Sequence, residues 1–252
     1  MMPAENVTVV LSEKGWVKAA KGHEIDSSAL NYKSGDAFLK DAKGRSNKMA
    51  FFIDSSGRSY TLLANSLPSA RGQGEPLTGR LTPPIGAEFI DVVMGDDEQL
   101  VILSSDAGYG FISTLGDLQS KTKSGKHAIT LSKEAKTMRL TKVQNLESDY
   151  LAVITNRARL LIFQVSELPH LSKGKGNKLI NIKTDDFVAK EEFLIGLCII
   201  KENQKLRVEY GNGKKHKQYS FSDLVNFTSH RARKGLTVPG VHGKALGIDA
   251  ID

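Results

Sequence analysis

Basic residues lie among glycines in four stretches of the chain, each of which begins with a leucine. The stretches are LPSARGQGEPLTGRL from Leu67, LQSKTKSGKHAITL from Leu118, LPHLSKGKGNKLINI from Leu168 and LVNFTSHRARKGLTV from Leu224. Glycine permits positive φ and the close approach of another chain, while Lys and Arg supply donors that bind phosphate. Such loops suit a nucleic-acid backbone. For any single copy the alternative is a solvated turn, but repetition of the same chemistry favours binding.

The cations within these loops are the predicted binding residues. They are Arg71, Lys121, Lys123, Lys126, Lys173, Lys175, Lys178, Arg231, Arg233 and Lys234. Because such cations would act by releasing counterions from phosphates, we expect affinity that falls steeply with salt and depends little on base sequence. The stretch from Leu67, in the second repeat, should contribute less than those of the third and fourth repeats, since Glu75 lies near Arg71 in sequence. The first repeat has a weaker loop at Leu30–Asp36, with one lysine against one aspartate.

The leading leucines recur at intervals of 51, 50 and 56 residues, close to the length of one propeller blade. Each unit also contains a predicted β-hairpin. The hairpins are Val7–Leu11 with Trp16–Ala19, Ala50–Ile53 with Arg58–Leu63, Leu100–Leu103 with Tyr109–Thr114, Tyr150–Ile154 with Arg159–Phe163, and Lys205–Tyr210 with Gln218–Phe221. The fourth turn has no glycine, so Asn156 or Arg157 is expected to take that place. Helix signals are scarce, and Asp185 and Asp186 are interpreted as part of a turn.

The size of the chain fits one all-β domain. With 252 residues and 40% apolar content, it is predicted to form a single domain over residues 5–250. The five repeats are placed at 5–49, 50–97, 98–148, 149–193 and 194–250. The opening Met-Met-Pro-Ala stands almost directly before a strand, as expected of a fragment of a longer protein.

Charge and cysteine content narrow the class of partner. A net charge of +7 and a pI near 9.3 favour an anionic partner such as nucleic acid or a membrane surface. We expect no membrane insertion, because neither an amphipathic basic helix nor a long apolar run is evident. Cys198 is interpreted as a small buried hydrophobe, and a lone cysteine with no signal peptide predicts a cytoplasmic protein.

Residue patterns for catalysis and metal binding are missing. The six histidines are scattered and the acidic pairs lack histidines or further carboxylates at ligand spacing, so no metal site is predicted. The stretch Gly174–Gly176 lacks the spacing and hydroxyl residue of a nucleotide P-loop, and no Gly-x-Ser-x-Gly elbow occurs. We therefore assign no catalytic residue.

Four longer stretches carry a family resemblance. They are VTVVLSEKGWVKAAKGHEID from Val7, LPSARGQGEPLTGRL, SSDAGYGF from Ser104 and LPHLSKGKGNK. Through them the chain resembles the C-terminal domains of the A subunits of bacterial topoisomerase IV and of its relative gyrase. The resemblance implies an all-β fold, a propeller-like β-pinwheel of five four-stranded blades that exchange strands and bind DNA along the rim, in a ring that is either closed or open.

The resemblance also implies a function. The domain would bind and bend duplex DNA, and present it to the rest of the A subunit for decatenation and supercoil relaxation. Cleavage, magnesium and ATP would belong to the catalytic core and to the separate ATPase subunit, so the expectation for this chain is a non-catalytic part of a type II topoisomerase without a cofactor of its own. A condensin is a further implied partner, in the bacterial cytoplasm at the chromosome. The chain has no intact Gln-Arg-Arg-Gly-Gly-Lys-Gly box, which fits topoisomerase IV rather than gyrase.

Two other functions compete with DNA binding. One is a propeller-like protein-interaction module whose basic rim recognises an acidic partner. The other is a propeller-class enzyme, which is disfavoured because carboxylates and histidines do not cluster in the sequence.

Overall fold

The computed structural model describes residues 3–252, and these consist mainly of β-strands. The two opening methionines, which entered the expectation of a fragment, lie outside the described residues. The chain forms two compact units. The first contains the described residues up to Gln99 together with Thr114–Thr130, and the second contains Leu100–Ser113 and Leu131–Asp252.

The first unit contains two antiparallel sheets. The first sheet, in the order β3-β1-β2-β6, is formed by β1 (Asn6–Ser12), β2 (Trp16–Lys21), β3 (Phe38–Arg45) and β6 (Glu75–Pro76). The second sheet, in the order β10-β5-β4-β7, is formed by β4 (Met49–Asp54), β5 (Arg58–Leu63), β7 (Phe89–Met94) and β10 (Lys126–His127).

The second unit contains the third, fourth and fifth sheets. The third, in the order β11-β8-β9-β14, is formed by β8 (Leu100–Ser104), β9 (Tyr109–Thr114), β11 (Thr141–Lys142) and β14 (Asn177–Lys178). The fourth, in the order β15-β12-β13-β18, is formed by β12 (Tyr150–Thr155), β13 (Arg159–Gln164), β15 (Leu194–Ile200) and β18 (Leu236–Thr237). The fifth, in the order β17-β16-β19, is formed by β16 (Lys205–Tyr210), β17 (Lys215–Ser220) and β19 (Ala245–Ile251).

Four sheets are completed by a two-residue strand from the following repeat. These exchanged strands are β6, β10, β14 and β18, which pair with β2, β5, β9 and β13. The exchange explains why Thr114–Thr130, which carries β10, belongs to the first unit. The prediction of four strands in every blade is wrong for the fifth sheet. Within residues 3–252 it has three strands, and none of the two-residue strands pairs with it.

The strands hold together through apolar side chains between neighbouring sheets. In the first unit, Val9 and Leu11 of β1 pack in one cluster with Phe52 and Tyr60 of the second sheet. In the second unit, one cluster joins the third and fourth sheets and another joins the fourth and fifth. Each fully buried side chain of this size contributes about 1.5–3 kcal/mol relative to exposure, so neighbouring hairpins stabilise one another.

The predicted hairpins agree with the structure to within a few residues. The largest difference is in the fifth, whose second strand begins at Lys215 rather than Gln218. The fourth turn departs from expectation, because neither Asn156 nor Arg157 takes the position of the glycine. Ala158 does so, with φ of 58°, and its N–H donates to the carbonyl of Thr155 at 2.9 Å.

Helical segments in the structure are short. Those in the described part of the chain are α1 (Leu115–Leu118), α2 (Thr184–Val188) and five 3-10 turns, at Ser27–Ala29, Ala64–Ser66, Leu77–Gly79, Val165–Glu167 and Ser222–Phe227. The interpretation of Asp185 and Asp186 as part of a turn is wrong, since both lie in the first turn of α2, where carboxylates interact favourably with the helix dipole. No helix in residues 3–252 is long and apolar enough to cross a membrane.

Cys198 lies on β15 and is partly buried against the cluster between the fourth and fifth sheets. Burial, with a smaller contribution from the charge of Asp249, raises the pKa of its thiol to about 12. The side chain therefore stays a neutral thiol at physiological pH, as the interpretation of a packing residue requires.

Candidate nucleic-acid interface

The four basic stretches form loops that begin in the same way. They are the second-repeat loop (67–76), the third-repeat loop (118–127), the fourth-repeat loop (168–178) and the fifth-repeat loop (224–237). Each begins at its leading leucine, within or directly beside a short helical turn, and all four of these leucines are buried: Leu67, Leu118, Leu168 and Leu224. The repeated leucine is thus an apolar anchor for the loop that follows.

After the leucine, each loop attaches to the second strand of the preceding sheet. Three loops do so through an isolated parallel bridge, and the bridged pairs are Ala19 with Ser69, Ile112 with His170, and Ile162 with Thr228. The third-repeat loop uses a side chain instead. The hydroxyl of Thr61 donates to the carbonyl of Ser120 at 2.6 Å and accepts from its N–H at 3.1 Å.

Each loop then returns to the same strand as its exchanged strand, and a glycine with positive φ precedes that strand. Gly176 shows why glycine is required there. Its φ is +77°, and an added Cβ would lie 2.1 Å from the carbonyl oxygen of Gly110. The equivalent residues are Gly74, Gly125 and Gly235, each with positive φ, and in each an added Cβ would lie within 3 Å of a carbonyl oxygen of the second strand. These glycines therefore allow close approach to the protein's own backbone.

The attachment at both ends leaves the basic middle of each loop at the surface. Of the ten predicted cations, seven are exposed: Arg71, Lys121, Lys123, Lys173, Lys175, Arg233 and Lys234. Because the backbone on either side is fixed by hydrogen bonds, a phosphate could bind these side chains without first ordering the chain, which lowers the entropic cost of binding.

The other three predicted cations are half-buried and hold internal hydrogen bonds. Lys126 donates to the carbonyl of Asp117, and Lys178 donates to the side-chain oxygen of Asn181 at 3.2 Å. Arg231 donates from Nε to the carbonyl of Glu167 and from NH1 to the carbonyl of Lys178, both at 3.2 Å. Each side chain would have to give up such a bond, or share it, to contact phosphate.

Arg231 brings two of the loops together within the second unit. Its bond to Lys178 links the fifth-repeat loop to the fourth, and Ala232 N–H donates to the carbonyl of Leu179 at 2.8 Å beside it. In the first unit, the N–H of Thr82 donates to the carbonyl of Lys123 at 2.8 Å, so the segment after the second-repeat loop lies against the third-repeat loop.

Glu75 is not the partner of Arg71. Its carboxylate contacts the guanidinium of Arg80, which also donates to the hydroxyl and carbonyl of Ser66. Arg71 is left exposed within the second-repeat loop. The physical reason offered for a weak second-repeat loop is therefore wrong, although its single exposed cation still supplies less charge than the third-repeat loop.

A buried ion pair is hydrogen-bonded to the backbone of the fifth-repeat loop. Arg159 Nε lies 2.6 Å from Glu192 Oε1, and the same guanidinium donates to the carbonyls of Lys234 and Asn181. Burial acts to raise the pKa of Glu192, but hydrogen bonds from Arg159 and Thr155, together with the charges of Arg159 and Arg157, outweigh it and lower the pKa overall. The carboxylate is ionised at neutral pH, so it neutralises the arginine that fixes the loop.

The first repeat has no loop of this kind. Its short segment Leu30–Asp36 leads directly to β3, and Asp36 accepts hydrogen bonds from Ser12 Oγ at 2.6 Å and from Lys14 N–H at 3.0 Å. Lys33 lies over the ring of Trp16 at 5.0 Å. The aspartate thus stabilises the first hairpin turn.

One basic cluster was not predicted from the sequence. Lys214, Lys215 and Lys217 are exposed, and the last two lie on β17, the edge of the three-stranded fifth sheet. The run of Lys-Lys-His-Lys was visible in the sequence, but it does not follow a repeat leucine and so did not fit the loop pattern.

Comparison with known proteins shows where this arrangement recurs. The chain is similar to the solved C-terminal domain of Escherichia coli ParC, with 43% identity, a TM-score of 0.87 and coverage of 98% of this chain and 99% of that one. The chain belongs to the family of C-terminal domains of topoisomerase IV A subunits. This confirms the family resemblance and the all-β pinwheel class.

Further comparisons agree with the topoisomerase IV family. A family model described as the DNA gyrase C-terminal domain, a β-propeller, matches residues 99–143 and 149–190. The A subunit of DNA topoisomerase 4 from Pseudomonas aeruginosa is 49% identical over 239 residues, which are 95% of this chain and 31% of that protein. The Escherichia coli protein is 45% identical over 241 residues, or 96% of this chain and 32% of that protein.

A solved DNA gyrase A C-terminal domain shares the fold at 16% identity, with a TM-score of 0.70 and coverage of 98% of this chain and 83% of that one. The chain spans about a third of the length of the curated topoisomerase IV relatives it matches. The predicted single domain and the ten predicted binding residues stay predictions.

Proposed function

We propose that this chain binds duplex DNA through its four basic loops and bends it. The observation that carries the proposal is the set of seven exposed cations on loops whose backbones are attached to the sheets at both ends. In the whole protein the bound DNA segment would be captured and oriented for strand passage, in decatenation and supercoil relaxation. The chain itself would not cut DNA.

The chemistry of these loops favours the phosphate backbone over the bases. Lysine ammonium groups act as point charges, and most of the exposed loop cations are lysines. Contacts of this kind position a duplex but do not distinguish sequences. Bending a site of 20 to 30 base pairs costs on the order of 1–6 kcal/mol, which several phosphate contacts acting together can offset.

The proposed partners follow from the proposed role. The chain would work with two other parts of topoisomerase IV. These are the rest of the A subunit, which cleaves DNA, and the ATPase subunit. Because ATP and magnesium are used there, the domain needs no cofactor. It would act at the chromosome in the bacterial cytoplasm, with a condensin as a further partner.

The direct test removes three exposed lysines whose side chains hold no hydrogen bond within residues 3–252. Lys121, Lys123 and Lys173 are changed to alanine together, and a control variant loses Lys21, Lys48 and Lys205, which lie outside the four loops. Both variants lose the same charge. We expect the loop variant to bind a duplex of about 40 base pairs at least tenfold more weakly than the control at low salt. Equal affinities of the two variants would show that the DNA site lies outside the third- and fourth-repeat loops.

A protein-interaction module is the second candidate, and the open edge of the fifth sheet favours it. In the described part of the chain β17 pairs on one side alone and carries Lys215 and Lys217. An exposed sheet edge can accept an extended peptide, and its charge would select an acidic one. Tight binding of an acidic peptide with negligible affinity for duplex DNA would favour this candidate over the first.

A further inference from the structure

A tight turn in the first unit places an isoleucine fully in solvent. Ile85 has a relative exposure of 106%, the largest value for any bulky apolar residue within positions 3–252. The N–H of Ala87 donates to the carbonyl of Pro84 at 3.0 Å, and Gly86 between them has φ of +83°. Pro83 and Pro84 restrict φ before the turn. The apolar side chain therefore projects from a stiff corner of the backbone.

The turn is held on both sides. Before it, Thr82 N–H donates to the carbonyl of Lys123, and after it, Ser55 N–H donates to the carbonyl of Glu88, both at 2.8 Å. Three residues span at most about 11 Å, so Ile85 lies close to the third-repeat loop. Lys121 and Lys123 of that loop are exposed. An apolar tip thus lies on a short segment whose start is bonded to the loop that carries these two exposed cations.

Equivalent turns in two other repeats carry polar residues at this corner. In the first repeat, Asp36 N–H donates to the carbonyl of Lys33, and Ser34 occupies the position equivalent to Ile85. In the third repeat, Ala135 N–H donates to the carbonyl of Ser132, and Lys133 takes the corner. The residue after the corner has positive φ in all three turns. The turn itself thus forms without an apolar corner residue, so the fold does not account for isoleucine at this position.

We propose that Ile85 is a wedge that enters between base pairs of the duplex held by the third-repeat loop. The inference rests on the proposed DNA binding and specifies how the bend would form. Apolar side chains inserted at a base step unstack it partly and kink the duplex, and isoleucine is among the residues that do so. A kink at one base step would reduce the amount of smooth bending that the flanking DNA needs in order to follow the basic loops.

The test compares a plain duplex with one that carries a central two-nucleotide bulge, which is already unstacked. Since unstacking one step costs a few kcal/mol, we expect the wild-type chain to bind the bulged duplex about tenfold more tightly. In Ile85→Ser the preference should fall to about twofold, with affinity for the plain duplex nearly unchanged. Val188→Ser, which alters an exposed apolar residue of the second unit outside the four loops, should behave as wild type.

A second variant separates a wedge from general surface chemistry. Ile85→Lys makes the corner resemble that of the third repeat, so it should steepen the salt dependence of DNA binding by about 0.9 in the log-log slope while losing the preference for bulged DNA. A full bulge preference in Ile85→Ser would overturn the wedge and leave DNA binding intact, with the tip assigned to a protein contact. Failure of the wild-type chain to bind either duplex would overturn the proposed function as well.

Discussion

At the scale of single residues, the position of each loop cation depends on what its side chain already binds. Lys121, Lys123 and Lys173 project freely, whereas Arg231 donates to two backbone carbonyls. The sequence predicted the same role for all of these cations. It shows that a lysine or arginine follows a repeat leucine, but it does not show which backbone carbonyls the side chain can reach.

The ion pair of Arg159 and Glu192 gives a prediction at the residue scale. Glu192→Gln should lower the free energy of unfolding at pH 7 by about 3 kcal/mol, because it leaves a buried arginine without its counter-charge. Since the pKa of Glu192 is lowered by folding, its contribution exists above the ordinary carboxyl pKa of about 4.3 and is lost as the pH falls through the folded-state value.

Urea unfolding of both proteins at pH 7 and in acid checks this. The difference in the free energy of unfolding between wild type and Glu192→Gln should become smaller as the pH falls, because the wild-type carboxylate becomes protonated. A gap of constant size across the pH range would show that the ionised carboxylate is not what stabilises the fold.

At the scale of elements, the hairpins and the exchanged strands differ in how well they are predicted. A hairpin such as Met49–Asp54 with Arg58–Leu63 is formed by near neighbours and is marked by a β-branched and aromatic run on each side of a turn. The pair of Trp16 and Pro76 joins residues 60 positions apart through a two-residue strand. No local pattern identifies so short a strand, so strand exchange came from the resemblance alone.

The fourth hairpin turn shows the limit of residue preferences. Gly15, Gly57 and Gly108 take positive φ in the first three turns, and Ala158 takes it in the fourth. Asn is the better candidate by intrinsic preference, yet Asn156 is used differently. Its side chain donates to the carbonyl of Glu191 and accepts from Phe193 N–H. Tertiary contacts thus decided which residue bears the strain.

The exchanged strands give a prediction at the element scale. Gly176→Ala should lower the free energy of unfolding by about 3 kcal/mol, since it adds left-handed strain to a backbone overlap with Gly110. Gly174→Ala in the same loop is the matched control. It has φ of +143°, but its nearest contact is a flexible leucine side chain at 3.5 Å, so we expect a loss of about 1 kcal/mol.

Thermal or urea unfolding of the two alanine variants measures the difference. Equal losses would mean that the close approach of the loop to β9 contributes nothing, and that both glycines serve only the backbone angle.

At the scale of the whole molecule, the five sheets within residues 3–252 come from five repeats, and four of these sheets include a strand from the next repeat. The borrowed strand places a basic loop beside each of those four sheets, so the placement of charge follows from the topology. The five predicted hairpins indicated the number of sheets. That the last sheet has three strands within residues 3–252 could not be read from the sequence, because the pattern of β16 and β17 resembles that of the other hairpins.

The measurement that tests the account most directly is the salt dependence of binding to a duplex of about 40 base pairs. Seven exposed loop cations predict a slope of log K against log salt of about −6, and Lys121, Lys123 and Lys173 together should account for about 2.7 of it. The variant without these three lysines should therefore show a clearly shallower slope than the control without Lys21, Lys48 and Lys205. A shallow slope for the wild-type chain, or the same slope for all three proteins, would contradict DNA binding by the loops.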